Sequence, residues 1–302
     1  MKTLITGATG FVGSHLSKVI EDKVRVIRGH ALGRDGDDFV VESINGETNW
    51  FGAFEDVDCI VHLAGLAHRS DYQEEDYQAV NVDGTLHLAK AAIASGVKRF
   101  VFVSSIGVNG TETKGKPFSV LDKVCPHNDY AISKMKAEEG LKALAEQTDL
   151  ELVIVRPTLV YGPDAPGNFG RLVNLVGQLP LLPFGCTKNR RSFISVQNLS
   201  DLLVACTTHS NAPGHTFLAS DGEVISIKEF TNAIAQALGK TVLQLPIPVS
   251  LVNVLGKMTG KSAVVSQLFG DLEVDSSNTK EILGWHAPYT LKQSMEFLNK
   301  LG

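Results

Sequence analysis

Four cysteines in 302 residues, Cys59, Cys125, Cys186 and Cys206, never fall into a C-x-x-C pair. No disulfide framework or thiolate metal knuckle is written here, and dispersed, reduced thiols fit a cytoplasmic protein. Basic residues are not in excess: Lys and Arg number 28 against 33 Asp and Glu, a net charge of −5 without a run of one sign. That balance argues against a nucleic-acid surface or a charged tail. Long apolar runs are missing as well. No stretch of about 18 apolar residues occurs and the start of the chain carries no basic leader, so neither a membrane span nor a signal peptide is expected. The nearest approach, "LQLPIPVSLVNVLGKM" (243–258), is broken by Pro246 and Pro248. It reads as a strand end followed by a packed helix from about Ser250; flanked by Lys257 and Lys261, it has a peripheral membrane contact as its other reading. The nine histidines show neither HxxxH nor HExxH spacing, so no metal centre is expected.

What is present is a strict alternation. "KTLIT" (2–6), "VRVIR" (24–28), "CIVHL" (59–63), "FVFVS" (100–104) and "LVIVR" (152–156) are strand-like and apolar almost throughout, as in a parallel sheet covered on both faces. Helical periodicity lies between them, near 11–21, 75–95 and 129–147. This predicts an α/β fold, a doubly wound parallel sheet of Rossmann type. After about residue 160 the pattern loosens through the loop "YGPDAPGNFG", with helices expected near 169–177, 198–208, 226–238 and 276–283 and a strand at "HTFLAS". The expected organisation is a dinucleotide-binding domain over 1–160. A smaller C-terminal α/β lobe over 161–302 would hold the substrate, with the chain crossing between the two more than once.

The stretch "LITGATGFVGSHL" (4–16) carries glycines at 7, 10 and 13 between a strand and a helix. Gly7 permits a tight turn, Gly10 removes a side chain where a pyrophosphate must approach, and Gly13 lets the helix pack on the strand. Alone, such a turn leaves a ligand-free connection open as the other reading. Further on, "YAISK" places Tyr130 and Lys134 four apart, on one face of a helix, where an ammonium would favour the phenolate and lower the phenol's pKa. Ser104 and Ser105 end the strand that precedes them, at the carboxyl edge where open α/β sheets bind ligands. Glycine turn, strand-end serine and Y-x-x-x-K occurring together, in this order, point to a nicotinamide dinucleotide and proton transfer by a phenol.

The sequence resembles the extended short-chain dehydrogenase/reductase family, in particular nucleotide-sugar enzymes of the UDP-galactose 4-epimerase type, over nearly its whole length. The resemblance implies cofactor contacts from "TGATGFVGSHL" (Gly7, Thr9, Gly10, Phe11, Val12, Gly13) and from "VHLAGLA" (Leu63, Ala64, Gly65). It adds Asn81 in "NVDGT", Ser104, Tyr130 and Lys134, and Pro157 in "RPTLVYGP". It implies Ser105 as the catalytic hydroxyl, Tyr130 as base and Lys134 on the nicotinamide ribose. Arg191 in "NRRSFISVQNLSDLL" is then the diphosphate arginine and Asn168 a sugar-nucleotide contact. A nucleotide-diphosphate sugar is the implied partner, and a homodimer through a four-helix bundle of the 75–95 and 129–147 helices the implied assembly.

Three departures stand out. Leu159 replaces the family's Asn in R-P-x-N-V-Y-G-P, removing a phosphate contact. A second diphosphate arginine has no counterpart in "VSQLFGDLEVDSS", leaving that charge to Arg191 with Lys261 as a candidate helper. The second strand ends in Arg28, with Arg34 nearby, where NAD enzymes commonly place an acid; arginine suits a 2′-phosphate, so the cofactor is NAD or NADP. Two reactions fit the same residues: C4 epimerisation of a UDP-hexose or UDP-N-acetylhexosamine, or NADP-dependent reduction of a 4-keto sugar nucleotide in surface-polysaccharide synthesis. The intact Ser105, Tyr130, Lys134 set argues against a non-catalytic dinucleotide sensor. His68 and Arg69 are loop residues with a pocket position as their alternative.

Overall fold

The computed structural model describes residues 1–29, 38–67, 72–260 and 262–298. Its first half runs β1 (Lys2–Thr6), α1 (Phe11–Val19), β2 (Lys23–Arg28), β3 (Asp38–Val41), β4 (Val57–His62), α2 (Glu74–Tyr77), α3 (Thr85–Ala94), β5 (Arg99–Val103), α4 (Asp129–Gln147) and β6 (Glu151–Pro157). The second half continues with β7 (Leu159–Tyr161), α5 (Gly167–Gln178), β8 (Leu181–Leu182), β9 (Arg191–Ser195), α6 (Val196–Thr208), β10 (Thr216–Ala219), β11 (Val224–Ile225) and α7 (Ile227–Ala237). It closes with β12 (Leu243–Gln244), α8 (Val249–Met258), α9 (Ser262–Phe269), α10 (Ser277–Leu283) and α11 (Leu291–Glu296).

Seven strands form one parallel sheet in the order β10-β6-β5-β4-β1-β2-β3. The apolar strands predicted from the sequence are its centre, and their alternation explains why both faces are covered. Leu4, Ile60, Phe100 and Leu152 point into a cluster with Leu88 and Ala92 of α3 and Ala137 and Leu141 of α4. Their neighbours Ile5, Val61, Val101 and Val153 point the other way, against Leu199, Leu202 and Leu203 of α6. Each such side chain, fully buried, contributes about 1.5–3 kcal/mol. The third core is aromatic: Tyr161, Phe169, Phe193 and Phe230 pack together beyond the sheet, with Phe193 and Phe230 stacked at 4.0 Å.

From β1 the chain winds outward through β2 and β3, then returns to β4 on the other side of β1. The order reverses there, so a crevice opens at the carboxyl ends of β1 and β4, the position where doubly wound sheets take ligands. Although it follows residue 160, β10 pairs with β6 and completes the sheet.

The expected 75–95 helix is interrupted: α2 and α3 are joined by a π-helical turn over Gln78–Gly84. Such wide turns cluster at functional sites, and no local sequence signal announces them. The short strands β3 and β9 and the helices α9 and α11 were not expected, although α11 opens on a Thr290/Gln293 capping box that the sequence displays. Helix α8 forms where "VSLVNVLGKM" predicts it. Among the described residues no helix is long and apolar enough to cross a membrane, and no cluster of three potential metal ligands occurs.

Candidate active site

The glycine turn has the geometry that a dinucleotide requires. Gly7 sits at φ +68°, and a Cβ there would lie 2.8 Å from the Ala64 nitrogen. At Gly13 a Cβ would lie 2.1 Å from the Gly7 carbonyl oxygen, so only glycine lets α1 approach the turn this closely. Helix α1 is capped by Gly10, which has no side chain to accept from the first-turn amides, and no acid occupies that turn. The amides of Phe11 and Val12 and the positive end of the helix therefore face the crevice beside exposed Thr9 and Gly10, an arrangement suited to a pyrophosphate. The side chains of Phe11 and Val12 turn away and pack into the aromatic core and the α6-side core respectively.

The opposite wall is held by a chain of hydrogen bonds whose direction can be worked out. The Ala64 amide donates to Thr6 Oγ1 at 3.2 Å, and Thr6 Oγ1 lies 2.7 Å from His62 Nδ1. His62 Nε2 is 2.8 Å from Thr85 Oγ1, which in turn donates to the Asn81 carbonyl at 2.7 Å. Because the Thr85 proton goes to Asn81, His62 must donate from Nε2, leaving Nδ1 to accept from Thr6. A neutral histidine in one tautomer satisfies every link, and burial together with the Lys134 charge pushes the His62 pKa down to about 3. Asn81, on the π-helical turn, accepts from the Leu66 amide at 2.7 Å and donates to Ser133 Oγ at 3.0 Å. Gly65 lies against both Asn81 and Lys134: a Cβ there would sit 3.0 Å from Asn81 Oδ1 and 3.4 Å from Lys134 Nζ.

Helix α4 starts at Asn128, whose side chain accepts from the Ala131 amide. That cap fixes Tyr130 in the first turn and Lys134 one turn on. Ser105 caps the short 3₁₀ turn Ile106–Val108, accepting from the Gly107 amide at 3.1 Å. The Ser105 side chain lies near enough to the Tyr130 phenol to draw its pKa down, so serine and phenol come together as the sequence predicts. The electrostatics differ from expectation. Lys134 Nζ donates to the Val103 carbonyl at 3.0 Å and lies 4.7 Å from the Phe102 ring centre, rather than on the phenol. Burial holds the Tyr130 pKa above the ordinary phenol value; the Ser105 hydrogen bond draws it back and the neighbouring Tyr77 adds to the rise. Burial also brings Lys134 down to about 8, against an opposing pull from Glu138.

The other predicted residues fall less closely together. The Ser104 hydroxyl is buried and donates to Glu138 Oε1 at 2.5 Å, so its proton is spent inside the protein. Leu63 and Ala64 flank the wall above Thr6, and Pro157 is buried at the end of β6 beside Ala219. Arg28 is exposed at the end of β2. Asn168 is exposed in the first turn of α5. Arg191 opens β9 and donates to the Gly270 carbonyl at 2.8 Å. Burial lowers its pKa to about 10, with Asp271 and then Glu112 opposing. Arg34, His68, Arg69 and Lys261 lie outside the described residues. Sequence reasoning missed His62 as a bridge and Glu138 with Arg156 as a buried pair. Glu138 continues the i, i+4, i+8 row from Tyr130 and Lys134, a signal that was available.

Residues 3–220 match the model of the NAD dependent epimerase/dehydratase family. The chain belongs to this family. A UDP-glucose 4-epimerase of Vibrio cholerae is 44% identical over 304 residues, covering 97% of this chain and 93% of that one. Among solved structures, UDP-glucuronic acid 4-epimerase from Bacillus cereus in complex with NAD superimposes with a TM-score of 0.77 at 20% identity, covering 100% and 99% of the two chains. RMD from Pseudomonas aeruginosa complexed with NADPH gives 0.73 at 20% identity, covering 99% of each. Membership in the family makes the protein an epimerase-type enzyme that works with NAD. The cradle at Gly7, Gly10 and Gly13 fits that cofactor.

Proposed function

We propose that the protein interconverts the C4 epimers of a nucleotide-diphosphate sugar, UDP-glucose and UDP-galactose or their N-acetylhexosamine forms, through a 4-keto sugar. The observation that carries this reading is the meeting of Ser105 and Tyr130, with Lys134 beside Gly65 and Asn81, at the sheet edge next to the glycine turn. The likeness to a UDP-glucose 4-epimerase supports the choice of substrate.

In this reading Tyr130 removes the proton of the sugar C4 hydroxyl and returns it at the end, while Ser105 hydrogen-bonds the same oxygen and keeps it in line. When bound, the nicotinamide supplies the hydride acceptor and donor and, oxidised, a positive charge beside the phenol. Lys134 holds the ribose, while Ser105 counters the burial that raises the Tyr130 pKa. Arg191, desolvated and donating to the Gly270 carbonyl, is the diphosphate anchor, with Asn168 a further contact. Fixing the reacting groups in this way supplies much of the rate. A homodimer through α3 and α4 belongs to the same proposal. Those helices pack closely, since a Cβ on Gly140 would lie 2.7 Å from Leu86. A cytoplasmic location rests on the four unpaired cysteines.

Incubating the purified protein with UDP-galactose and UDP-N-acetylgalactosamine, with and without added NAD, tests the reading. Epimer formation that disappears in Tyr130→Phe is the expected result. Arg28 favours a second reading: it is exposed at the end of β2, while the nearby Asp38 is taken up by Arg25 at 2.7 Å, which leaves an arginine where a 2′-phosphate would sit. Failure with both sugars, together with NADPH oxidation by a 4-keto sugar nucleotide, would replace the epimerase with a reductase.

A further inference from the structure

One buried carboxylate links the two segments that carry the reactive set. Glu138, on α4, is 1% exposed and accepts three hydrogen bonds: from Ser104 Oγ at 2.5 Å and Arg156 Nε at 2.8 Å on Oε1, and from Arg156 Nη2 at 2.5 Å on Oε2. Arg156, buried on β6, extends the network by donating from Nη1 to Asn109 Oδ1 at 2.9 Å. Asn109 directly follows the 3₁₀ turn that Ser105 caps, and donates to the Ser119 carbonyl at 3.1 Å. The segment carrying Ser105 is therefore gripped on both sides, at Ser104 and at Asn109, by one ion pair rooted in α4 and β6. The same helix carries Tyr130 and Lys134 two turns and one turn before Glu138.

We propose that Glu138, paired with Arg156, is a positioning residue for the reaction: it ties the Ser105 segment to the helix bearing Tyr130 and Lys134. This rests on the reading of Ser105, Tyr130 and Lys134 as the reacting set. An ion pair that served packing alone would need neither the third hydrogen bond to Ser104 nor its place one turn from Lys134. Buried pairs are often replaceable by apolar groups without loss of stability, so a buried pair by itself is weak evidence of a stabilising role. Among the described residues, Glu138 acts on the Lys134 charge and His62 on β4 feels it; Tyr130 precedes Lys134 by one turn of α4, with Tyr77 of α2 packed edge-on against Tyr130. Glu138 is the anion that opposes the effect of burial on Lys134. Lys142, half-exposed, reaches Glu138 at 4.0 Å from the solvent side.

The test uses the full-length enzyme. Glu138→Gln keeps the shape and removes the charge. It is expected to lower kcat at least 10-fold with KM for the sugar nucleotide within about 2-fold. The alkaline limb of the pH profile should move down by about one pH unit or more, and the Lys134 Nζ titration followed by NMR should move with it. Should Glu138→Gln fail to fold, Glu138→Leu combined with Arg156→Met removes the pair in apolar form and is expected to show the same downward movement of Lys134. A folded variant of either kind whose pH profile and Lys134 titration match the parent overturns the proposal, since a packing role would scale activity without moving a pKa. Tyr130→Phe is measured alongside. Its inactivity, with Lys134 unmoved in the Glu138 variants, rejects the positioning role alone, whereas full turnover in Tyr130→Phe rejects the catalytic reading and this proposal with it.

Discussion

Lys134 Nζ donates to the carbonyl of Val103 at 3.0 Å, which makes the ammonium part of the strand end instead of a direct partner of the Tyr130 phenol. The Lys134 cation is thus anchored by backbone, and the side chain that draws the Tyr130 pKa down is Ser105.

Activity should therefore track the charge on Lys134. Its folded pKa is depressed to about 8, so the ammonium is present below that value and lost above it, and kcat/KM is expected to fall as pH rises through about 8. Lys134→Met should flatten this limb and lower the rate by roughly 10²–10⁴-fold. A rate profile in overlapping buffers from pH 6 to 10 checks both points; a limb that survives in Lys134→Met would assign it elsewhere.

Gly13→Ala should damage the cradle, because its Cβ would fall 2.1 Å from the Gly7 oxygen. The overpacking is expected to cost about 1–3 kcal/mol of stability and to abolish retention of the dinucleotide. Urea unfolding and cofactor content after desalting measure the two effects. A variant that keeps its cofactor would mean the turn can move without loss.

Replacing His62 by Phe preserves the ring and removes both of its hydrogen bonds, leaving the Thr6 O–H without its acceptor while Thr85 keeps the Asn81 carbonyl. A loss of about 1–3 kcal/mol is expected at neutral pH. The folded pKa lies near 3, below the ordinary histidine value, so this contribution is full above about pH 6.5 and declines as pH falls toward 3. Unfolding midpoints of both proteins at pH 4.5 and 7.5 should therefore lie closer together at the lower pH. ¹⁵N shifts of the ring should report Nε2–H, and finding the proton on Nδ1 would refute the assigned direction of the chain.

Asp221 offers the opposite sign. Burial raises its pKa to about 6, against hydrogen bonds from Asn198, Tyr161 and the Ser195 amide. The folded state holds its proton more tightly than the unfolded chain, so its contribution is greatest below about pH 4 and is lost as pH rises through 6. Relative to Asp221→Asn, the parent should be at its best in acid and lose ground toward neutrality, as chemical denaturation at pH 4.5, 6 and 7.5 would record.

The sheet was legible because its strands repeat every second residue: Leu4 and Ile5, or Phe100 and Val101, each serve one face. Helix α4 was legible to both ends because Asn128 caps it and "MKAEEGLKALAEQ" keeps helical spacing. Strands β3 and β9 were not, since four or five residues with mixed patterning acquire their register only from neighbours. In the site, the spacing of Tyr130 and Lys134 gave their shared face but could not say that the ammonium would be spent on a backbone carbonyl. The roles of Ser104, Glu138 and His62 depend on partners 34, 18 and 56 residues away, separations at which periodicity carries no information.

The pairing of Phe217 with Val155 and Leu218 with Arg156 makes the outermost strand a late arrival to a sheet otherwise built from the first 157 residues. A fragment cut near residue 160 would leave "LVIVR" as a naked rim, apolar and ready to zip onto another copy. The amino-terminal half thus borrows its border from the segment that follows it, and neither part is expected to be obtained intact without the other.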